Sequence, residues 1–317
     1  MGEDAPLVAL YWWIMTAQAR TITGLQEKVR RLKRVALQAL YRAQSGHPGS
    51  TLSTMEMLVA LYFGGILRHD PHHPHDPDRD YFLLSNGHAC PALYAVLAEA
   101  GYFAAEQLTH LRQLGAGVQG HPHRGSVPGV EITSGSLGMG LSVGIGLAYA
   151  LKLQGKSNRV YVMMSDGEQE EGSTWEAVMF APAFAKASTF AQSSPRLRPA
   201  SKASVDRPAG KPKLDNLIAI IDKNKFQIDG ATRDVMPYLD PLADKYRAFG
   251  WRVQEIDGHK FEAIFPALKA AQVADGPAAI ISHTIRGKGV SFMEGSTHWH
   301  AGAIAKEQYE RAMKELV

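Results

Sequence analysis

Two short runs, 160–165 (VYVMMS) and 217–222 (LIAIID), carry apolar side chains at nearly every position. A strand with one wet face alternates apolar and polar residues, so a run that is apolar throughout is buried on both faces. Burial on both faces requires helices above and below the sheet. Apolar positions recur at helical spacing over 25–44, 91–100, 239–249 and 261–274. Further strands are expected at 81–85 (YFLLS), 252–256 and 278–283. Strands alternating with amphipathic helices give an α/β fold, a mostly parallel sheet with helices on both faces. Ligands of such sheets bind beyond the carboxyl ends of the strands.

Several segments stand outside this rhythm. Ser53 with Glu56 three residues later reads as a capping box opening a helix through Leu67. The stretch HDPHHPHDPDRD at 69–80 is loop, and its histidines read as solvated rather than as a metal tract. Residues 183–213 are rich in Ala, Ser, Pro and Lys, with seven Lys or Arg against one acid, Asp206. They read as a disordered or mobile insertion. The net charge of +3 is concentrated there, which is not the spread basic face of a nucleic-acid binder. The apolar run 7–17 (LVALYWWIMTA) falls short of the ~20 residues that cross a bilayer. It follows Glu3 and Asp4 rather than the basic start of a secretory signal. Residues 1–24 are therefore expected to be an N-terminal extension, buried or facing a partner, and no membrane association is expected. The single cysteine, Cys90, permits no intrachain disulfide and fits a cytoplasmic protein. Its commonest role would be a buried thiol rather than a nucleophile.

The chemistry gathers at the strand ends. Ser165-Asp166-Gly167-Glu168 closes the first apolar run, and Asp222-Lys223-Asn224-Lys225-Phe226 closes the second. A glycine at such a turn lets backbone approach a phosphate closely. Asp166, the Asn224 side-chain carbonyl and the Phe226 main-chain carbonyl form a hard-oxygen set suited to Mg²⁺ or Ca²⁺. By itself Asp-Gly followed later by Asn is an ordinary turn pattern. Arg286 and Lys288 in IRGKG suit a diphosphate, a substrate phosphate or a solvated turn. The glycines of GSLGMGLSVGIGLA follow no clear strand and lack an acidic partner, so a dinucleotide site is rejected in favour of close helix packing.

These blocks together resemble the thiamine-diphosphate motif of transketolases. The similar stretches are SGHPGSTLSTMEMLVALYF, RDYFLLSNGHACPALYA, QGHPHRGSVPGVEITSGSLGMGLSVGIGLA, DGEQEEGSTWEA with LDNLIAIIDKNKFQIDG, and RGKGVSFMEGSTHWHAGAI. They run in family order from about residue 25 to the end of the sequence, so 25–317 is expected to form one thiamine-diphosphate-binding domain. The resemblance implies that Asp166, Asn224 and Phe226 bind the metal. It places Gly135, Leu137, Gly138, Gly167 and Glu168 with Asp166 and Asn224 about the cofactor. It puts His47, His88, His121 and His300 around the reacting carbon, with His298 a competitor for the last place. Glu171 resembles a carboxylate at a subunit interface. The implied activity is transfer of a two-carbon ketol unit between phosphorylated sugars with thiamine diphosphate and Mg²⁺ or Ca²⁺. Imidazoles suit the proton movements of that reaction.

Two departures qualify the resemblance. The pyrimidine-binding and C-terminal domains of a full transketolase have no counterpart here. That implies a second subunit carrying them, in a heterotetramer with two copies of each chain. Asp166 and Asn224 also lie 58 positions apart, wider than the family's usual spacing, because of the basic insertion. Competing expectations are the alpha chain of a 2-oxo acid dehydrogenase, against which the histidine-bearing blocks speak, and a non-catalytic cofactor-binding paralogue.

Overall fold

The computed structural model describes residues 21–186 and 213–317. Five strands form one sheet: β1 (Tyr81–Leu84), β2 (Val160–Ser165), β3 (Leu217–Lys223), β4 (Arg252–Asp257) and β5 (Ala278–His283). Every pairing is parallel, in the spatial order β1-β2-β3-β5-β4. The register sets Ser165 beside Asp222 and Asp222 beside Ser282, so the carboxyl ends of the three central strands are level.

Side chains alternate across the sheet and each face has its own core. Phe82, Leu84, Tyr161, Met163, Ile218, Ile220 and Ile280 face one way. They pack with helices α1 (Ile22–Ala43), α2 (Pro48–Ser53), α3 (Met55–Phe63) and α4 (Cys90–Ala100). Leu83, Val160, Val162, Met164, Leu217, Ala219, Ile221 and Ile281 face the other way. They meet α5 (Gly140–Leu153), α6 (Gly172–Lys186) and α7 (Leu242–Ala248). Helix α8 (Phe261–Gln272) joins the first layer, and α9 (Lys306–Glu315) packs at the end of the chain. The edge strand β4 is only half covered, which is why its sequence is the least apolar of the five.

Several boundaries move. No capping box forms at Ser53. The chain is already helical from Pro48, a residue whose fixed φ suits a first turn, and the following helix ends at Gly64 rather than Leu67. Ser53 Oγ instead donates to Asp222. Glu56 is buried, where it accepts from Lys33 at 2.8 Å and lies 3.3 Å from His259. Burial alone would raise its pKa, but Lys33 and His259 outweigh that and hold it below the usual range. A buried ion pair explains Glu56 better than a helix cap does. Residues 183–186, expected within the insertion, continue α6. The rest of that insertion, 187–212, and residues 1–20 of the N-terminal extension lie outside the described residues; 22–24 belong to α1. The stretch 239–249 is helical only from Leu242 to Ala248, and α9 has no counterpart among the expected helices.

The glycine-rich run 140–146 is a helix interior packed directly on β2. A Cβ on Gly144 would lie 2.4 Å from a Val162 methyl, whereas Gly146 on the outer side has nothing within 4 Å. Gly144→Leu is therefore expected to cost about 1–3 kcal/mol through overpacking. Gly146→Ala is expected to gain up to about 1 kcal/mol from helix propensity. Urea unfolding of the two variants, with opposite shifts in midpoint, checks this account of the α5–β2 contact.

Candidate active site

The carboxyl ends of β2 and β3, with the loops after β1 and β5, surround a cleft of about 260 Å³. Its floor is built from the two sequence motifs. Asp166, fully buried, accepts hydrogen bonds from its neighbour Gly167 N at 3.0 Å, Lys225 N at 2.7 Å and Thr232 Oγ1 at 3.3 Å. Reaching Asp166 requires Lys225 to adopt a left-handed backbone, φ 71°. The loop after β3 is thus folded onto the end of β2, which brings Asn224 and Gly167 to one cavity although 57 positions separate them in sequence.

Asp222, one strand away, fixes the orientation of Asn224. Its Oδ2 accepts from Asn224 Nδ2 at 3.0 Å and Ser53 Oγ at 2.7 Å, and its Oδ1 from Thr284 Oγ1 at 2.5 Å. With the amide nitrogen committed to Asp222, Asn224 Oδ1 is left to accept from Phe226 N at 3.2 Å. In sequence Asp222 reads only as the end of a strand. The signal that could have marked it is a carboxylate inside an apolar run, which burial makes costly unless hydrogen-bonded.

The opposite wall is histidine. His47 stands with its ring centroid 5.3 Å from His88, 5.9 Å from His121 and 5.3 Å from His300, and His88 lies 5.7 Å from His300. His47 precedes Pro48 at the start of α2, His88 sits in the turn after β1, and His300 follows a short turn near the C-terminus. His298 is exposed against Trp299, so His300 rather than His298 faces the cleft. Burial, then the neighbouring His300, His121, Arg112 and Arg286, pulls the His47 pKa down to about 4. Burial and Arg286 do the same for His300, also to about 4. His88 is held well below the ordinary value, chiefly by burial, and His121 is lowered by burial and Arg112. Among the described residues the buried Nδ1 atoms of His47 and His300 have no hydrogen-bond partner. His88 Nε2 lies 3.1 Å from Ser50 Oγ.

The remaining expected residues divide into lining and support. Gly135, Leu137, Gly167, Asn224 and Phe226 line the cleft. Gly135 has φ +151°, and a Cβ there would touch the His121 ring at 3.4 Å. Gly138, Asp166 and Glu168 stand behind the lining. Glu168 accepts from Gly138 N at 2.9 Å, Ser165 N at 3.3 Å and Ser85 Oγ. Its carboxylate thus holds the 138 loop from behind the lining. Gly138 needs its φ of +82° and its missing side chain, since a Cβ would strike Ser173 and Glu171 at 2.5 and 2.7 Å. Glu171 itself is exposed. Gln227, Ile228, Asp229 and Arg286 also line the cleft. The first three were not expected from sequence, since nothing in FQIDG marks them beyond their nearness to Asn224.

The donor set fits a hard cation. Asp166 is pushed up to about 7 by burial and by Asp222, the condition of a carboxylate that a divalent ion would relieve. Asn224 Oδ1 and the Phe226 carbonyl belong to the same loop, and all three are oxygens. Among the described residues no three His, Cys, Asp or Glu side chains gather as a metal centre. In the 69–80 loop, His69 is bonded to Tyr102 and to the Tyr62 carbonyl, and His73 to Asp70. Cys90 is buried, with its thiol directed at the Gly120 carbonyl and its pKa raised by burial to about 12, so it is no nucleophile.

A parallel α/β domain with an acid-and-amide floor and an imidazole wall at its carboxyl edge is a cofactor-binding enzyme domain. Comparison with known proteins names the family. The chain matches the family described as "Transketolase, thiamine diphosphate binding domain" over residues 25–187 and 200–316, and it belongs to that family. It is 40% identical over 293 residues to the 6-deoxy-6-sulfo-D-fructose transketolase subunit SqwG of Clostridium sp. (strain MSTE9), covering 92% of this chain and 96% of that one. It is 39% identical over 300 residues to an apulose-4-phosphate transketolase subunit of Phocaeicola vulgatus, covering 94% and 95%. Human transketolase is 35% identical over 300 residues, but the match spans only 42% of its length. The crystal structure of Campylobacter jejuni transketolase superposes with a TM-score of 0.79 at 30% identity, covering 93% of this chain and 43% of that one.

The lowered histidine pKa values carry a sign. As pH falls below the ordinary histidine value of about 6.5, the unfolded chain takes protons that folded His47 and His300 refuse until about 4. Stability should therefore drop between pH 6.5 and 4, by at most about 1.4 kcal/mol per pH unit for each such histidine. Asp166 acts in the opposite sense over its own range, so the test is a difference. Urea unfolding at pH 7 and pH 5 should show His47→Asn losing less stability on acidification than the wild type does.

Proposed function

We propose that this chain is the cofactor-binding subunit of a two-chain transketolase, transferring a two-carbon ketol unit between phosphorylated sugars. The observation that carries this is the single cleft in which the Asp166–Asn224 floor faces the His47, His88, His121 and His300 wall. Coverage supports the two-chain form: the chain spans 95–96% of the relatives named as subunits and 42% of human transketolase. The second subunit would carry the pyrimidine-binding and C-terminal domains, in a heterotetramer with two copies of each chain. A cytoplasmic location suits the single buried thiol and the phosphorylated substrates. Among the described residues no helix is long and apolar enough to cross a membrane.

Thiamine diphosphate, when bound, supplies the carbanion chemistry. Asp166, Asn224 Oδ1 and the Phe226 carbonyl would hold Mg²⁺ or Ca²⁺, and Gly167 and Gly135 leave room for the cofactor beside them. The imidazoles work near neutral pH as uncharged groups. Four rings, each within 6 Å of His47 or being His47 itself, cannot share more than about one proton without strong mutual repulsion. The wall therefore orients sugar hydroxyls, donates hydrogen bonds to oxygen that gains negative charge, and passes a single proton among its members.

Calorimetric titration of thiamine diphosphate with Mg²⁺ tests this reading, first on the chain alone and then with its second subunit. Metal-dependent binding that Asp166→Ala abolishes is expected, and ketol transfer from a phosphorylated ketose only in the mixture. His47→Asn should lower kcat about 10²–10⁴-fold, the usual range for a lost acid–base group, with cofactor affinity changed little. Binding that survives Asp166→Ala, or a pyruvate-dependent activity in place of ketol transfer, would overturn the proposal.

A further inference from the structure

Helix α2 and the residue that follows it carry four hydroxyl side chains, Ser50, Thr51, Ser53 and Thr54. A hydroxyl on a helix commonly bends back to the carbonyl four residues earlier. Thr51 Oγ1 does so, donating to the His47 carbonyl at 2.7 Å, and Thr54 Oγ1 donates to the Ser50 carbonyl at 2.9 Å. Ser53 turns away to Asp222. Ser50 turns away as well. The carbonyl four residues before it belongs to Gly46, outside the helix, and already accepts from Gly302 N at 2.9 Å. Ser50 Oγ lies instead 3.1 Å from His88 Nε2, its one side-chain hydrogen-bond partner among the described residues. Ser50 is 1% exposed, so the hydroxyl cannot turn to solvent.

A hydroxyl and a neutral imidazole can each donate or accept, and burial decides between the two arrangements. With the ring hydrogen on Nε2, Ser50 would accept it and the hydroxyl hydrogen would be buried without an acceptor. An unmet buried donor costs more than a made hydrogen bond gains. With Ser50 donating, Nε2 is the bare nitrogen, both groups are satisfied, and the ring hydrogen sits on Nδ1. His88 lines the cleft, and its Nδ1 has no hydrogen-bond partner among the described residues. The ring is neutral, so one nitrogen is indeed bare: burial, then the His47 and His300 rings at 5.3 and 5.7 Å, hold its pKa well below the ordinary value. The frame is fixed on both sides. His88 rides on the Gly87–Ala89 turn, where Ala89 N donates to the Asn86 carbonyl at 2.9 Å, and a Cβ on Gly87 would lie 2.6 Å from Ser134 Oγ.

We propose that Ser50 is a positioning residue of the cleft: its hydroxyl donates to His88 Nε2 and fixes the tautomer with the hydrogen on Nδ1, so that His88 meets a bound sugar as a hydrogen-bond donor and not as a base. That the bound molecule is a sugar rests on the proposed function; the tautomer does not. The histidine wall is then divided in its work. An Nδ1–H donor stabilises an oxygen that gains negative charge. It cannot also take a proton, because its one bare nitrogen is held by Ser50. Proton transfer falls to His47, His121 and His300.

The test reads the tautomer directly, by NMR of the full chain prepared with nitrogen-labelled histidine, the His88 ring signals being those lost in His88→Asn. At neutral pH wild-type His88 is expected to show a bare Nε2 and a protonated Nδ1. Ser50→Ala should lose that preference, and Ser50→Thr, which keeps a hydroxyl, should retain it. In the mixture with the second subunit, Ser50→Ala should lower kcat for ketol transfer about 3- to 10-fold, the weight of one hydrogen bond. KM and thiamine diphosphate affinity should not change, and Ser50→Thr should recover the rate. His88→Asn, whose amide nitrogen can stand near the place of Nδ1, should keep more activity than His88→Gln, whose amide reaches the place of Nε2. A protonated Nε2 in wild type would overturn the tautomer, and the same tautomer in Ser50→Ala would overturn the role of Ser50. An altered tautomer with unchanged kcat, or His88→Gln more active than His88→Asn, would overturn the donor role. The expected spectra without ketol transfer in the wild-type mixture would sink the proposed function and leave the tautomer lock standing. Ketol transfer at the wild-type rate in every Ser50 variant, with one tautomer throughout, would sink the inference and leave the proposed function standing.

Discussion

Two carboxylates, Asp166 and Asp222, are buried at the level ends of adjacent parallel strands, and the rest of the site is arranged to tolerate them. Among the described residues neither is neutralised by an ion pair; each is held by neutral hydrogen-bond donors. Asp222 draws Ser53 from the end of α2, Thr284 from beyond β5 and the amide of Asn224. Asp166 draws the backbone of the loop after β3. The demand of two buried acids for donors thus pulls three separate chain segments to one point. Their shared negative field also explains why a basic residue, Arg286, can be buried nearby at all.

Much of this was legible in sequence because the relevant physics is local. Apolar runs at 160–165 and 217–222 reveal strands buried on both faces, and β2 and β5 have the limits expected from their composition. The motif residues Asp166, Gly167, Asn224 and Phe226 were legible as strand-end turns carrying oxygen donors. The four histidines were legible only through resemblance, since composition gives no reason to expect residues 47, 88, 121 and 300 to meet.

What escaped depended on long-range contacts. Glu56 fits a capping-box spacing, and only its burial against Lys33 and His259 decides otherwise. Glu168 sits in the motif beside Asp166, yet its carboxylate turns to the Gly138 amide, a partner 30 positions away. Asp222 is hidden inside a strand run, and its role appears only when Ser53 and Thr284 are brought against it. In each case the sequence offers a local partner and the fold supplies a better distant one.

The parallel topology also decides what the wide spacing between Asp166 and Asn224 means. Described chain ends at Lys186, the last residue of a helix, and resumes at Lys213, just before the amino end of β3. The family match itself breaks off and restarts between residues 187 and 200. In a parallel unit the helix returns the chain to the amino edge of the sheet before the next strand begins, while the cleft opens at the carboxyl edge. Lys213 leads into the amino end of β3, so the described end of that junction lies a strand length from the cleft. The domain therefore has two ends with different freedoms, one bound by chemistry and one open to elaboration, and a fused reporter or affinity handle belongs at the second.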